Sequence, residues 1–188
     1  TDQELYDKII KRYENRKNNE KLFFMGITMQ NHGGYTETYD NFPENYYKVG
    51  RSYTDANQYL SLVHESDEAV KNLISYFSKV DDPVEIIFFG DHQPSLNSNF
   101  YPILNGKGLT GLTEDELEKL YTVPFFIWTN YDTPEETVDI TSLDYLSTMA
   151  LERAGIELPA YNKFLADMQE VVPAINSRGY YSKSKGCY

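Results

Sequence analysis

An aspartate and a histidine stand side by side at Asp91-His92, between a glycine and a proline. A carboxylate and an imidazole on adjacent residues reach one ion only where the backbone turns sharply, and Gly90 and Pro94 suit such a turn. A mixed oxygen and nitrogen pair suits Mn²⁺ or Zn²⁺, and Mg²⁺ less well. The pair is therefore a candidate for part of a divalent metal site, with a purely structural loop as the alternative.

The remaining histidines and the single cysteine supply few further ligands. A metal site takes about three or four protein ligands. His64 falls in the middle of a predicted helix and is interpreted as a helix-surface or partly packed residue. Cys187 is the only cysteine, which excludes an internal disulfide framework and a cysteine-based zinc site. Other ligands must be carboxylates or come from polypeptide outside this chain.

His32 is the second candidate, since it follows Asn31 and precedes two glycines. An imidazole in such a turn can hydrogen-bond an anionic or sugar substrate as it approaches the backbone. A histidine that only caps the end of a strand through its own backbone contacts is the equally weighted alternative.

Periodicity places these residues at the ends of predicted strands. Short apolar runs predict buried strands, and apolar residues spaced by three or four predict helices. The predicted strands cover 22–29, 84–89 and 123–128. The predicted helices cover 2–16, 54–79, 142–154 and 161–172, with a capping box at Thr113 that starts a further short helix. The segment 35–51 is expected to be a loop, and the tail from residue 177 is expected to be loose.

Alternating strands and helices predict a single α/β domain over residues 1–188, a mostly parallel β-sheet flanked by helices. Strands that end at Met29 and Phe89, if parallel, bring His32 and Asp91-His92 to one edge of the sheet. That carboxyl edge is where open α/β sheets bind ligands.

The charge balance excludes one class of partner. The chain has 188 residues, with 17 Lys and Arg against 29 Asp and Glu, for a net charge of -12. Nucleic-acid binding needs a basic surface, so no nucleic-acid partner is expected.

The densest apolar run, at 86–89, falls far short of the roughly 18 residues of a membrane span, so a soluble piece without a signal peptide is expected.

Two longer stretches together resemble a known family. Residues 24–35 (FMGITMQNHGGY) and 86–92 (IIFFGDH) are similar to the second half of the lipoteichoic acid synthase-like sulfatases, which belong to the alkaline phosphatase superfamily. Residues 123–128 (VPFFIW) and 158–161 (LPAY) fall where that family has similar segments.

The resemblance implies an alkaline phosphatase/sulfatase-like fold and an enzyme at the extracellular face of the cell membrane. It also implies a threonine nucleophile and a divalent cation, often Mn²⁺. Carried over by position, Asp91 and His92 are metal ligands, and His32 contacts the phosphate or glycerol group of the substrate. Such an ion lowers the pKa of a nucleophile and neutralises charge on the transferred group.

In that family the nucleophile and a further acidic ligand precede the strand that corresponds to 22–29. The resemblance therefore implies a truncated chain, the C-terminal portion of a catalytic domain, with no catalytic nucleophile of its own. Its expected partners are the missing N-terminal half of the same domain and a glycerol-phosphate, sulfated or other anionic envelope substrate. A membrane is expected to be reached only through absent segments, and the isolated chain is expected to be inactive.

Three functions remain open from the sequence. The first is part of a metal-dependent phosphoglycerol transferase or sulfatase-like hydrolase acting on cell-envelope polymers. The second is a sulfate-ester hydrolase. The third is a non-enzymatic domain that binds a glycan or teichoic acid through the tyrosine-rich loop at 35–53.

Overall fold

A computed structural model describes residues 1–37, 39–40, 53–177 and 179–184. The chain divides into two compact units, Thr1–Asp81 with Phe89–Phe125 and Asp82–Phe88 with Phe126–Tyr188. The single domain over 1–188 stays a prediction. Most of the predicted loop at 35–51, namely residue 38 and residues 41–51, lies outside the described residues.

Two long helices form the centre of the first unit. Helix α1 spans Asp2–Glu14 and helix α2 spans Thr54–Phe77, which confirms two predicted helices. The rings of Tyr13 and Phe77 meet edge to face, with their centroids 5.2 Å apart. The buried apolar residues of α1 and α2 are Tyr6, Ala56, Leu62, Ala69, Val70, Leu73 and Phe77. In the described part of the chain, no helix is long and apolar enough to cross a membrane.

The segment 22–29 differs from its prediction as a buried strand. No strand forms there, and the side chains of Phe23, Met25, Ile27 and Met29 are 90%, 76%, 72% and 62% exposed. The backbone groups of residues 22–28 make no hydrogen bond to another described residue. An apolar run of this kind becomes a buried strand only when neighbouring strands flank it. The described residues supply no such neighbours.

Strand β1 (Glu85–Phe89) and strand β2 (Phe125–Thr129) form a two-stranded sheet. The amide of Gly90 donates to the carbonyl of Pro124, and the amide of Asn130 donates to the carbonyl of Val84, each over 3.1 Å. Residue numbers rise on one strand as they fall on the other, so this pair is antiparallel. Both strands agree with the sequence prediction. The predicted mostly parallel sheet is not confirmed, because the sheets formed by the described residues have only two strands each. Strand periodicity carries no information on strand direction.

Short helices follow β1 in the first unit: α3 (Tyr101–Asn105) and α4 (Glu114–Glu118). The predicted capping box of α4 is confirmed. The Thr113 hydroxyl accepts from the amide of Glu116 over 3.4 Å, and the Glu116 carboxylate accepts from the amide of Thr113 over 2.7 Å.

The second unit contains helices α5 (Leu146–Arg153) and α6 (Ala160–Val171), close to two predicted helices. Strand β3 (Ala174–Ile175) pairs antiparallel with β4 (Tyr180–Tyr181). The prediction of a loose tail from residue 177 is therefore wrong for β4. The Ser142 hydroxyl explains the order, since it accepts from the Ile175 amide over 2.7 Å and donates to its carbonyl over 2.9 Å.

Candidate functional site

The end of β1 approaches the chain before β2 very closely. A Cβ atom placed on Gly90 would lie 3.1 Å from Cβ and 3.3 Å from Cγ1 of Val123. These distances are tighter than ordinary carbon contacts, so this position favours glycine. Glycine at this position lets the backbone leave β1 close to Val123. Asp91 and His92 follow directly, so this close approach sets where they lie.

Asp91 and His92 form a compact local arrangement. The backbone amide of His92 donates to Asp91 Oδ1 over 2.9 Å, and His92 Nε2 lies 3.6 Å from Asp91 Oδ2. On the other side of the ring, Nδ1 lies 2.9 Å from the carbonyl oxygen of Gln93. The Gln93 side chain itself donates to the carbonyl of Thr122, which attaches this turn to the chain before β2.

The contact with Gln93 defines the tautomer of a neutral His92. A carbonyl oxygen only accepts, so Nδ1 must carry the proton. In that neutral ring Nε2 carries the lone pair, and Nε2 is the nitrogen that lies 3.6 Å from Asp91 Oδ2. Metal-ligating histidines commonly donate their other ring N–H to a backbone carbonyl, as His92 does here.

The donor pair fits a divalent ion. Two tetrahedral ligands with bonds of about 2.1 Å lie about 3.4 Å apart, close to the 3.6 Å between Nε2 and Oδ2. The side chains of Asp91 and His92 are 83% and 69% exposed, so both are accessible. Within the described residues, no three His, Cys, Asp or Glu side chains form a group that could hold a metal. The assignment of Asp91 and His92 as metal ligands therefore stays a prediction.

His32 lies in a different local setting. Its backbone amide donates to the carbonyl of Met29 over 3.1 Å, which closes a turn after the segment 22–29. Its side chain is exposed, and the imidazole makes no hydrogen bond to another described residue. The ring is therefore available to a ligand.

A pocket of about 440 Å³ adjoins His32. Its polar lining includes Asp2, Gln30, His32, Tyr35, Tyr39 and Gln58. Its volume is within the range of small-molecule sites. Asp91 and His92 do not line it, and the strand at 22–29 on which their predicted convergence with His32 depended is not formed. That convergence stays a prediction. His64 is half-buried on α2, as expected.

Sequence reasoning missed a set of buried and half-buried polar side chains behind the turn that contains His32. Asp2, Gln30, Asn31 and Ser66 are joined by hydrogen bonds across three segments of the chain. Asn31 was interpreted only as part of a turn signal. Ser66 lies between Glu65 and Asp67 in α2, and these acidic neighbours give no sign that the serine is buried.

Comparison with known proteins identifies the class. The family model described as Sulfatase matches residues 1–156, and the chain belongs to this family. The fold agrees: the Streptococcus pyogenes phosphoglycerol transferase GacH, solved in complex with sn-glycerol-1-phosphate, superposes with a TM-score of 0.70 at 20% identity. That match covers 94% of this chain and 43% of the transferase.

Two curated relatives come from Rhizobium meliloti (strain 1021). One, assigned provisionally by its name to cyclic beta-1,2-glucan modification, is 28% identical over 178 residues, 90% of this chain. The other, the capsular polysaccharide biosynthesis protein RkpI, is 33% identical over 98 residues, 52% of this chain. The chain spans 27% of the length of the first relative and the match spans 16% of the second.

Proposed function

We propose that this chain is part of a metal-dependent phosphoglycerol transferase that modifies a cell-envelope polysaccharide. The arrangement of Asp91 and His92 after β1 carries the proposal, since it presents two metal donors on an accessible turn with the ring already oriented. The sulfatase-like fold and the likeness to GacH support phosphoryl-type transfer. The names of the two curated relatives favour a glucan or another polysaccharide as the acceptor.

In this proposal Asp91 and His92 hold a divalent cation; a mixed oxygen and nitrogen pair suits Mn²⁺ or Zn²⁺, and the family resemblance favours Mn²⁺. Such a cation supplies charge neutralisation at the transferred phosphoryl group and activates the nucleophile. The carbonyl of Gln93 occupies the Nδ1 side of the ring, which would leave Nε2 of His92 to hold the ion, and the close approach of Gly90 to Val123 would set the position of the turn.

His32 is proposed to bind the phosphate or glycerol hydroxyls of the donor. Its exposed imidazole has no competing partner among the described residues, and the adjoining pocket has amide, phenol and carboxylate groups suited to hydroxyls. The nucleophile and the remaining metal ligands are proposed to lie in polypeptide outside these 188 residues. On this account the isolated chain has no turnover.

The apolar segment 22–29 supports a further stretch of the same domain as a partner. We call the side chains of Phe23, Met25, Ile27 and Met29 the odd face. On the opposite side, a Cβ atom at Gly26 would lie 3.4 Å from Leu5 and 3.6 Å from Ile9 of α1. The segment therefore approaches α1 at Gly26, while the side chains of the odd face are 62–90% exposed. We propose that flanking strands from the rest of the domain cover the odd face. The whole domain is proposed to act at the extracellular face of the membrane.

Two alternatives remain as outcomes of the test. A sulfate-ester hydrolase would use the same metal pair, and a glycan-binding domain would use the pocket beside His32 without chemistry. The pocket, with Tyr35 and Tyr39 in its walls, is the observation that favours the second.

The test uses the full-length protein with Mn²⁺, a phosphatidylglycerol donor and cyclic glucan as acceptor. We expect a phosphoglycerol-substituted glucan by mass spectrometry, lost in Asp91→Asn and His92→Gln and retained in the control His64→Gln. Sulfate release from a sulfated glucan, without phosphoglycerol transfer, would favour the hydrolase. Glucan binding without turnover would favour the binding domain.

A further inference from the structure

The hydroxyl of Ser66 is the centre of the buried polar network behind the His32 turn. It donates to Asp2 Oδ2 over 2.6 Å and accepts from Gln30 Nε2 over 3.1 Å and Asn31 Nδ2 over 3.0 Å. A serine hydroxyl has one donor and two acceptor positions, so Ser66 uses its full capacity. Ser66 and Asp2 are only 5% and 3% exposed, which keeps water from replacing these bonds.

The network joins three segments that are far apart in sequence. Asp2 begins α1, Gln30 and Asn31 belong to the turn before His32, and Ser66 lies in α2. Two further bonds reinforce the junction: the Asp2 amide donates to Gln30 Oε1 over 3.0 Å, and Gln30 Nε2 donates to the carbonyl of Leu62 over 3.2 Å. The turn is therefore attached to both long helices at once.

Tyr35 holds the same turn from its other end. Its hydroxyl donates to the carbonyl of Asn31 over 2.6 Å, and its ring packs edge to face on Tyr59 of α2 at 5.4 Å between centroids. His32 lies between these anchors, and its own imidazole has no hydrogen bond to a described residue. Its position is set by its neighbours rather than by contacts of its ring.

We propose that Ser66, with Asp2, Gln30 and Asn31, is a positioning network for His32. These residues act through the His32 turn and do not touch the substrate. The inference rests on the proposed function for the role of His32 in binding glycerol phosphate. Loss of the Ser66 hydroxyl removes one bond from each of Gln30 and Asn31 at once and leaves Asp2 Oδ2 without its donor, although Gln30 keeps its bonds to Leu62 and to the Asp2 amide.

Ser61 offers a matched control for Ser66. It lies in the same helix, is similarly buried at 6% exposure, and donates its hydroxyl to the carbonyl of Asn57 within α2. Ser61→Ala therefore removes a buried serine hydroxyl from α2 without removing the Ser66 bonds. Ser66→Thr keeps the hydroxyl, and Asn31→Ala removes a single bond to Ser66 in case Ser66→Ala does not fold.

The first measurement is the Kd for sn-glycerol-1-phosphate, by calorimetry on the full-length protein with Mn²⁺. We expect Ser66→Ala to weaken binding about tenfold, and Ser66→Thr and Ser61→Ala to stay within about twofold. The double variant Ser66→Ala/His32→Ala should bind no more weakly than His32→Ala, since residues that act through one group are not additive. If the Kd of the double variant rises by the product of the two single changes, the positioning network is overturned. An unchanged Kd in His32→Ala, or a wild-type protein that does not bind, would instead contradict the proposed function.

The second measurement needs no substrate. Hydrogen exchange of the His32 amide, which donates to Met29, reports whether the turn is held. We expect exchange to be about tenfold faster in Ser66→Ala or Asn31→Ala and unchanged in Ser61→Ala. Equal exchange in all variants would overturn the positioning network, whatever the result with glycerol phosphate.

Discussion

His92 Nε2 lies 3.6 Å from Asp91 Oδ2, while the opposite ring nitrogen of His92 is 2.9 Å from the carbonyl of Gln93. The second contact requires a proton on Nδ1, so in a neutral ring the lone pair is on Nε2, the nitrogen 3.6 Å from the carboxylate. Two adjacent residues thus present a nitrogen and an oxygen donor at a separation suited to one ion. This relationship makes the turn after β1 the centre of the proposed metal site.

Gly90→Ala should displace that turn, because the new methyl group would meet Val123 at 3.1 Å. We expect a loss of about 1–3 kcal/mol in the free energy of unfolding, measured by urea denaturation. Val123→Gly removes both the Cβ and the Cγ1 atoms of that contact, so Gly90→Ala should cost less in the Val123→Gly background than in the wild type. A double variant whose loss equals the sum of the single losses would contradict a steric origin.

Ser142→Ala should destabilise the second unit. Both the amide and the carbonyl of Ile175 lose their side-chain partner, at a position that is nearly buried. We expect a loss of about 1–3 kcal/mol and faster hydrogen exchange of the Ile175 amide. The exposed Ser147 on α5 offers a control, since Ser147→Ala should change stability by less than about 0.5 kcal/mol. Equal losses of stability in Ser142→Ala and Ser147→Ala would contradict the role assigned to the Ser142 hydroxyl.

The carboxyl of Glu116 should titrate far below its ordinary range. Its hydrogen bond from Lys107, followed by that from the Thr113 amide, lowers the pKa of Glu116 to about 2 from an ordinary 4.5. A depressed folded-state pKa gives stability that is present above about pH 4.5 and is lost as the pH falls toward 2. Lys107→Gln should raise this pKa, measured by carboxyl NMR titration, and Lys119→Gln should not. A Glu116 that titrates at 4.5 in the unsubstituted protein would contradict the pairing.

A charged substitution in the odd face should destabilise the full-length protein but not the isolated chain. Ile27 is 72% exposed in this chain, so Ile27→Lys should leave the melting temperature of the isolated chain nearly unchanged. If flanking strands cover the face, the same change buries an unpaired charge and should cost more than about 3 kcal/mol. Ile27→Val serves as the conservative control. A full-length protein that tolerates lysine would show that the odd face stays uncovered.

The sequence predicts local elements better than their partners. The repeat of apolar residues finds α1 and α2, and the Thr113 to Glu116 spacing finds the α4 cap, because both signals lie within a few neighbouring residues. The strand at 22–29 is predicted and not formed, since it depends on strands that the described residues do not supply. The relative direction of two strands also leaves no signal in the sequence, so the residues of β1 and β2 fit a parallel pair and an antiparallel pair equally well.

The candidate site divides in the same way. Asp91 and His92 are visible as neighbours after a strand, and His32 is visible in a glycine-rich turn. The contact of His92 with Gln93 depends on the position of one side chain. The network at Ser66 joins segments up to 64 residues apart. No local pattern predicts such a junction.

The most direct test of the account is the binding of Mn²⁺ to the full-length protein, measured by calorimetry on the wild type, Asp91→Asn and His92→Gln. We predict one ion per chain in the wild type and affinities at least about 100-fold weaker in both variants. His64→Gln, a histidine change on α2, should bind as the wild type does. Wild-type affinity in Asp91→Asn and His92→Gln would contradict the assignment of these two residues as metal ligands.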